Sequence, residues 1–366
     1  MTAPLDWNAI IVALSTSLSS QISVLFDCFP IINLVINHPP SPLPPLKIVA
    51  LAGGVGGARL VDGLAQVLPP ENLTVIVNTG DDFEHMGLKI CPDLDTVCYT
   101  LAGIANPVAG WGRLDETWNV LESLSALGGP NWFRLGDRDL GTHLERTRRL
   151  RLGERLSQIT QDFCRSWGIR LTVLPMSDDL QPTWVYTDEG ELPFQEYFVH
   201  RQCLPRVRGF RFEGVERAKP APGVMEALAA AQVVIICPSN PWVSIDPILV
   251  VPGIREGVDA KLTVAVSPII GGKTVKGPAA KMYAELGIEP SALSVARHYG
   301  ALLSAFVLDQ VDQSQREILH DQGLPSLVTD TLMPSASDRR RLAQEVLEFA
   351  LSLLEEKPPE RRTNEP

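Results

Sequence analysis

"ALAGGVGGARL", residues 50–60, sets four glycines in five positions directly behind an apolar run. Glycine costs backbone entropy on ordering and offers no side chain to pack. Such a run is kept where the backbone must turn tightly or approach something closely. An apolar run, then glycines, then Ala-Arg-Leu reads as strand, turn and helix. Amides at the start of such a helix suit a phosphate; a purely structural tight turn is the alternative.

The same rhythm recurs along the chain. Apolar, β-branched runs stand at 47–52, 74–78, 171–174, 233–237, 263–267 and 305–308. Runs without polar alternation suit strands buried on both faces of a parallel sheet. Helical patterns at 59–68, 94–101, 156–167 and 224–231 separate them. The alternation predicts an α/β fold, a doubly wound, mostly parallel Rossmann-like sheet. Two inserts interrupt it. Residues 103–150 predict a helical lobe, and 183–214, alternating around "TDEG", predict a β-hairpin on the sheet's edge.

Residues 46–335 thus form the principal domain, and 336–366 a closing amphipathic helix with a frayed tail. Residues 1–45 read as a poorly ordered extension ending in the linker "HPPSPLPP" at 38–45. No Lys or Arg precedes Lys47, so a signal peptide lacks its cationic start; Asp27 and Pro30 interrupt any membrane span. The net charge of -11 argues against a general nucleic-acid binder. Six cysteines (Cys28, Cys91, Cys98, Cys164, Cys203 and Cys237) include no C-x-x-C pair and read as reduced cytoplasmic thiols. His85, His143, His200 and His298 lack metal-ligand spacing.

In an open α/β sheet, ligands collect beyond the carboxyl ends of the strands. The residues expected there are the glycine run, Thr79-Gly80-Asp81-Asp82, Ser177-Asp178-Asp179, Pro238-Ser239-Asn240 and Pro268-Ile269-Ile270-Gly271-Gly272. The glycine run matches neither standard phosphate loop. Arg59 occupies the third glycine position of a dinucleotide fingerprint, Asn78 stands where its acidic residue belongs, and Gly-Lys-Ser/Thr is absent. Asp81 and Asp82 suit Mg²⁺ with a diphosphate, or else a helix cap or loop hydrogen bond. In "CPDLDTVCYTLAG", 91–103, Asp95 is the candidate helix cap, which leaves Asp93 unexplained. Arg134, Asp137, Arg138, Asp139 and His143 crowd into "NWFRLGDRDLGTH", 131–143, as a solvated charged face or as arginines beside a phosphate. Lys273 and Lys276 are cations beside an anion site, or simply solvated.

"GGVGGARL", "NTGDDFEHMGLKICPDLDTVCYTLAG", "GWGRLDET", "WFRLGDRDLGTHLERTRRLRLGERLSQIT", "LPMSDD", "PSNPWVSIDPIL" and "VAVSPIIGGKTVKGPAAKM" together resemble the 2-phospho-L-lactate transferase family. The likeness runs in unbroken order from Lys47 to Thr331. It implies a step in coenzyme F-420 biosynthesis. A guanosine diphosphate donor carrying 2-phospholactate, or enolpyruvate in bacterial relatives, would meet the deazaflavin Fo, whose ribityl hydroxyl attacks. The products would be F-420-0 or its dehydro form and GMP, with Mg²⁺ required, in a cytoplasmic homodimer. The "GGVGGA" form looks more like bacterial members. The resemblance assigns Asp95 and Arg134 to Fo, and turns Gly54, Gly56 and Gly57 toward the donor phosphates, with Ser239 and Asn240 beside them. Asp81 and Asp82 remain the candidates for metal ligand and general base. A nucleotide-sugar-binding regulator, of the related gluconeogenesis-factor type, is the competing class; "GWGRLDET" and "GDRDLGTH" favour the transferase. An NAD-dependent oxidoreductase is disfavoured by Arg59 and Asn78.

Overall fold

The computed structural model describes residues 46–355; the expected extension and linker, Cys28 and the tail from 356 lie outside them. Seven strands form the central sheet: β1 (Ile48–Ala52), β2 (Leu73–Val77), β3 (Thr172–Pro175), β4 (Val233–Ile236), β5 (Leu262–Val266), β6 (Ala305–Asp309) and β7 (Ser326–Thr329). They lie in the order 3-2-1-4-5-6-7, with every neighbouring pair parallel. This is the doubly wound α/β arrangement that the apolar runs predict.

Burial on both faces explains the unbroken apolar strands. Along β1, Val49 and Leu51 join one core layer, while Ile48, Ala50 and Ala52 join the other. The second layer is covered by α1 (Gly54–Val67), α2 (Pro92–Leu101) and the C-terminal helix Ala336–Glu355. That helix lies against α1, where a Cβ on Gly63 would stand 2.1 Å from the Arg339 carbonyl oxygen. Three further helices, α3 (Asn119–Ala126), α4 (Asp137–Arg151) and α5 (Leu156–Ser166), come between α2 and β3. α4 carries Asp137 and Asp139 in its first turn and Arg148, Arg149 and Arg151 in its last, the polarity its dipole favours.

Three differences from the sequence reading have physical causes. α1 begins at Gly54, five residues before the expected start at 59. Glycine's poor helix propensity hides that first turn, and tertiary packing overrides it. β7 escapes notice because all four of its residues are only partly buried, as suits an edge strand. The expected hairpin is larger. Gly190–Pro193, Thr183–Thr187 and Val207–Phe212 form a three-stranded antiparallel sheet of their own, with no ladder to the central sheet. No helix among the described residues is long and apolar enough to cross a membrane.

Candidate active site

β1 pairs with β2 on one side and β4 on the other, so the strand order reverses at β1. Loops leave this point in opposite directions and open a crevice. The glycine run lies at its floor. A Cβ on Gly53 would lie 2.3 Å from Asp93 Oδ2, and one on Gly56 would lie 2.3 Å from the Pro238 carbonyl oxygen. On Gly57 it would fall 2.5 Å from Ser239 Oγ. Gly54 has φ +63°, a left-handed conformation that side chains resist. The run therefore lets two loops and the start of α2 interlock behind the first turn of α1. Ser239 Oγ fastens this junction by accepting from the Gly53 amide (3.1 Å) and donating to the Gly53 carbonyl (2.8 Å).

Asp93 sits over the start of α1 and accepts a hydrogen bond from the Gly54 amide at 2.7 Å. Asn78, at the end of β2, links two carboxylates. Its Nδ2 donates to Asp93 at 2.9 Å and to Asp81 at 3.2 Å, and its Oδ1 accepts from the Gly80 amide. Gln195, from the segment after the small antiparallel hairpin, donates to Asp81 at 3.1 Å. Burial, then the neighbouring Asp93 and Asp82 charges, raise the Asp81 carboxyl well above its ordinary range. Burial lifts Asp93 to about 6, against the pull of hydrogen bonds from Asn78 and Gly54. Asp82 is committed elsewhere: it pairs with Lys89 at 3.2 Å and does not line the crevice. The expected Asp81–Asp82 pair is thus replaced by Asp81–Asp93, because a tight turn, closed by the Asp82 amide on the Thr79 carbonyl at 3.2 Å, sends the two side chains different ways.

Asp95 is not a helix cap. α2 starts at Pro92 behind Cys91, and Asp95 lies inside the first turn, buried. Its carboxylate is gripped by both terminal nitrogens of Arg146, which is 2% exposed, and His143 Nδ1 stands 3.7 Å away. Tyr99 Oη donates to Asp139 at 2.6 Å, and His143 Nε2 lies 3.3 Å from the same carboxylate. This network joins α2 to α4. The charged stretch 131–143 divides accordingly. Asp139 and His143 are buried, whereas Arg138 is exposed, and Asp137 accepts from Thr117 Oγ1 and from the Asn119 and Val120 amides at the start of α3.

All of this opens into one cavity of about 860 Å³. Gly54, Gly56, Asp81, Asp95, Arg134, Ser239 and Asn240 line it; Gly57 and Asp82 do not. Asp93, Arg59 and Lys276 line it too, as do the aromatics Tyr99, Trp111, Trp132, Phe133, Phe194 and Phe198. The Arg134 guanidinium lies over the Trp118 ring, 4.5 Å from its centroid. Lys273 is not on the wall. The glycine run, buried carboxylates and six aromatic rings thus line one and the same cavity.

Two residues of the site, Asn78 and Arg146, carry no clear mark in the sequence. Asn78 reads there only as a missing acidic residue, although an amide between carboxylates is what a donor-poor acidic cluster requires. Arg146 is one of several arginines in a charged helix. The second aspartate of "PDLD" is the available signal for Asp93.

A parallel α/β sheet with its cavity at the point of strand-order reversal defines a Rossmann-like ligand-binding protein. The 2-phospho-L-lactate transferase CofD family matches residues 48–350, and the chain belongs to that family. It is 46% identical over 313 residues to the phosphoenolpyruvate transferase of Streptomyces griseus, covering 83% of this chain and 98% of that protein. The phosphoenolpyruvate transferase of Nocardia farcinica is 41% identical over 300 residues, covering 78% and 90%. Among solved structures, a Bacillus halodurans protein of the upf0052 family matches with TM-score 0.55 at 16% identity, over 82% of this chain and 98% of that one. At that identity the likeness concerns the fold.

Proposed function

We propose that the protein transfers a phosphate ester of a three-carbon acid from a guanosine diphosphate donor to the ribityl hydroxyl of the deazaflavin Fo. The names of its relatives favour enolpyruvate as the three-carbon group. One observation carries this reading: the glycine run and a set of aromatic rings line a single cavity, roomy enough for a diphosphate and a flat tricyclic acceptor together. A regulator that binds only a nucleotide sugar has no use for the aromatic wall.

The chemistry is displacement at phosphorus, which depends on positioning and charge neutralisation. The acceptor hydroxyl attacks the phosphorus that bears the three-carbon ester, the bond to the α-phosphate oxygen breaks, and GMP leaves. Because the Gly54 amide is already taken by Asp93, the Val55 and Gly56 amides are those left for the donor phosphates. Asp81, in the cavity wall, would take the hydroxyl proton. Arg134 and the rings would hold the deazaflavin, with Asp95 held and oriented by Arg146.

Mg²⁺ fits the carboxylates present. Two buried carboxylates, repelling each other across one amide, are a set that a cation would relieve, and Mg²⁺ commonly takes one or two carboxylates plus phosphate oxygens. Asp81 and Asp93 would hold it. Bound there, it would neutralise diphosphate charge.

The test is incubation with Fo, Mg²⁺ and each donor separately, then mass measurement, since lactyl and enolpyruvyl products differ by two hydrogens. Formation of dehydro-F-420-0 and GMP is the expected result. No deazaflavin product with either donor, or release of GDP, rejects the reading.

A further inference from the structure

Arg59 lies four residues after Val55 on α1, hence on the same face, about 6 Å further along the axis. Side chains on a helix lean toward its N-terminus, so the guanidinium is directed back over Val55 and the glycine end of the cavity. It is half-buried, and among the described residues no carboxylate pairs with it. The charge that acts on it is a cation: burial and then Arg339 lower its pKa. Arg339 itself is paired, with Asp62 at 3.1 Å.

Lys276, on the turn after Lys273–Thr274, also lines the cavity. Its Nζ donates to the Ala109 carbonyl and lies 3.4 Å from that of Val108, with no carboxylate partner among the described residues. A Cβ on Gly110 would stand 3.0 Å from Lys276 Nζ and 2.9 Å from Val55 Cγ1, so the ammonium is held beside Val55. Burial and then Arg59 lower its pKa. Two cations, near enough for Arg59 to act on Lys276, therefore line the cavity beside Val55, next to the amides left for the donor. Holding like charges together without a counter-charge is unfavourable unless an anion joins them.

We propose that Arg59 and Lys276 form a carboxylate subsite that binds the acid group of the donor's three-carbon unit, and so restrict the donor to phosphate esters that carry a carboxylate. The inference rests on the donor reading above. A planar guanidinium matches a carboxylate through two parallel hydrogen bonds, and an ammonium adds a point charge. The carboxylate of an enolpyruvyl or lactyl ester lies only a few bonds from the esterified phosphorus. It would reach this pair while the diphosphate stays on the α1 amides.

The experiment measures equilibrium binding of GDP and of enolpyruvyl-linked guanosine diphosphate to the full chain and to Arg59→Gln and Lys276→Gln. Both substitutions are on incompletely buried side chains, and melting curves check that the variants fold. Arg59→Gln is expected to weaken the enolpyruvyl donor about tenfold to a hundredfold, the scale of a lost charged hydrogen bond. Lys276→Gln should weaken it less, and GDP should stay within twofold in both. Equal losses for GDP and the donor would show that the pair grips the diphosphate, and unchanged donor binding would show that it grips nothing; either overturns the subsite. If the unaltered protein binds neither ligand, the donor reading itself fails and the subsite falls with it.

Discussion

At the floor of the cavity a Cβ on Gly53, Gly56 or Gly57 would strike a neighbour at 2.3–2.5 Å, whereas in the insert a Cβ on Gly103, Gly112 or Gly128 would meet nothing within 4 Å. The floor is a locked junction of two strand-end loops and the start of α2, in which the glycine backbone packs on the Pro238 carbonyl and on the Asp93 and Ser239 side chains. The insert wall presents rings and arginines on a looser frame, with Trp111 46% and Leu127 85% exposed. This division suits a reaction at phosphorus. Under the proposed function, the centre to be held rigidly would lie where the sheet fixes it, and the face offered to a flat acceptor would be built from segments outside the sheet.

The largest expected effect tests the seam between the two regions. Arg146→Ala leaves Asp95 buried without its cation and should cost about 3–5 kcal/mol of stability, read as a lowered urea midpoint. An unchanged midpoint would mean that the pair does not clamp α4 to α2. Gly56→Ala tests the floor and should cost about 1–3 kcal/mol through overpacking against Pro238. Its control, Gly112→Ala, has only a left-handed φ of +67° to oppose it and should cost about 1 kcal/mol. Equal losses at the two positions would erase the distinction between floor and insert.

A smaller effect concerns pH in metal-free buffer. The folded Asp93 carboxyl titrates near 6, above its unfolded value, so between about pH 4 and 6 the folded state binds more protons. Stability from this group is therefore greater at low pH and declines as pH rises through 6. The melting temperature of the unaltered protein, minus that of Asp93→Asn, should fall from pH 4.5 to 7. A flat difference would mean that Asp93 is not protonated in the folded state. The smallest effect belongs to the aromatic wall. Trp132→Ala should weaken Fo binding about two- to tenfold, GDP binding should stay constant, and calorimetric titration separates the two. Equal weakening of both ligands would assign Trp132 to the floor's function instead.

Much of this molecule is legible in its sequence because the central strands are buried on both faces. Such strands must be apolar throughout, so six of the seven stand out as runs whose ends agree with the structure to within about a residue. The seventh, half-exposed at an edge, carries no such mark. The site is legible in part for a related reason: residues leaving the carboxyl ends of parallel strands gather along one edge, so Asp81, Ser239 and Asn240 can be grouped without coordinates. Which atoms face each other cannot be read that way. Asp81 and Asp82 are adjacent in sequence, yet one enters the cavity and the other turns to Lys89.

The sequence by itself determined the α/β class, the family and the edge of the sheet where the site lies, since each depends on local patterns: apolar runs, glycine turns and linked motifs. The tertiary structure alone decided that Asp93 rather than Asp82 partners Asp81 across Asn78, that Arg146 holds Asp95, and that α1 begins within the glycines. The bonds behind these outcomes join residues 15 to 186 positions apart: Asn78 to Asp93, Asp95 to Arg146, and Gly53 to Ser239. Propensity and spacing describe a chain's neighbours along its length, while a buried charge is settled by whichever opposite charge or hydrogen-bond donor the fold brings within about 3 Å.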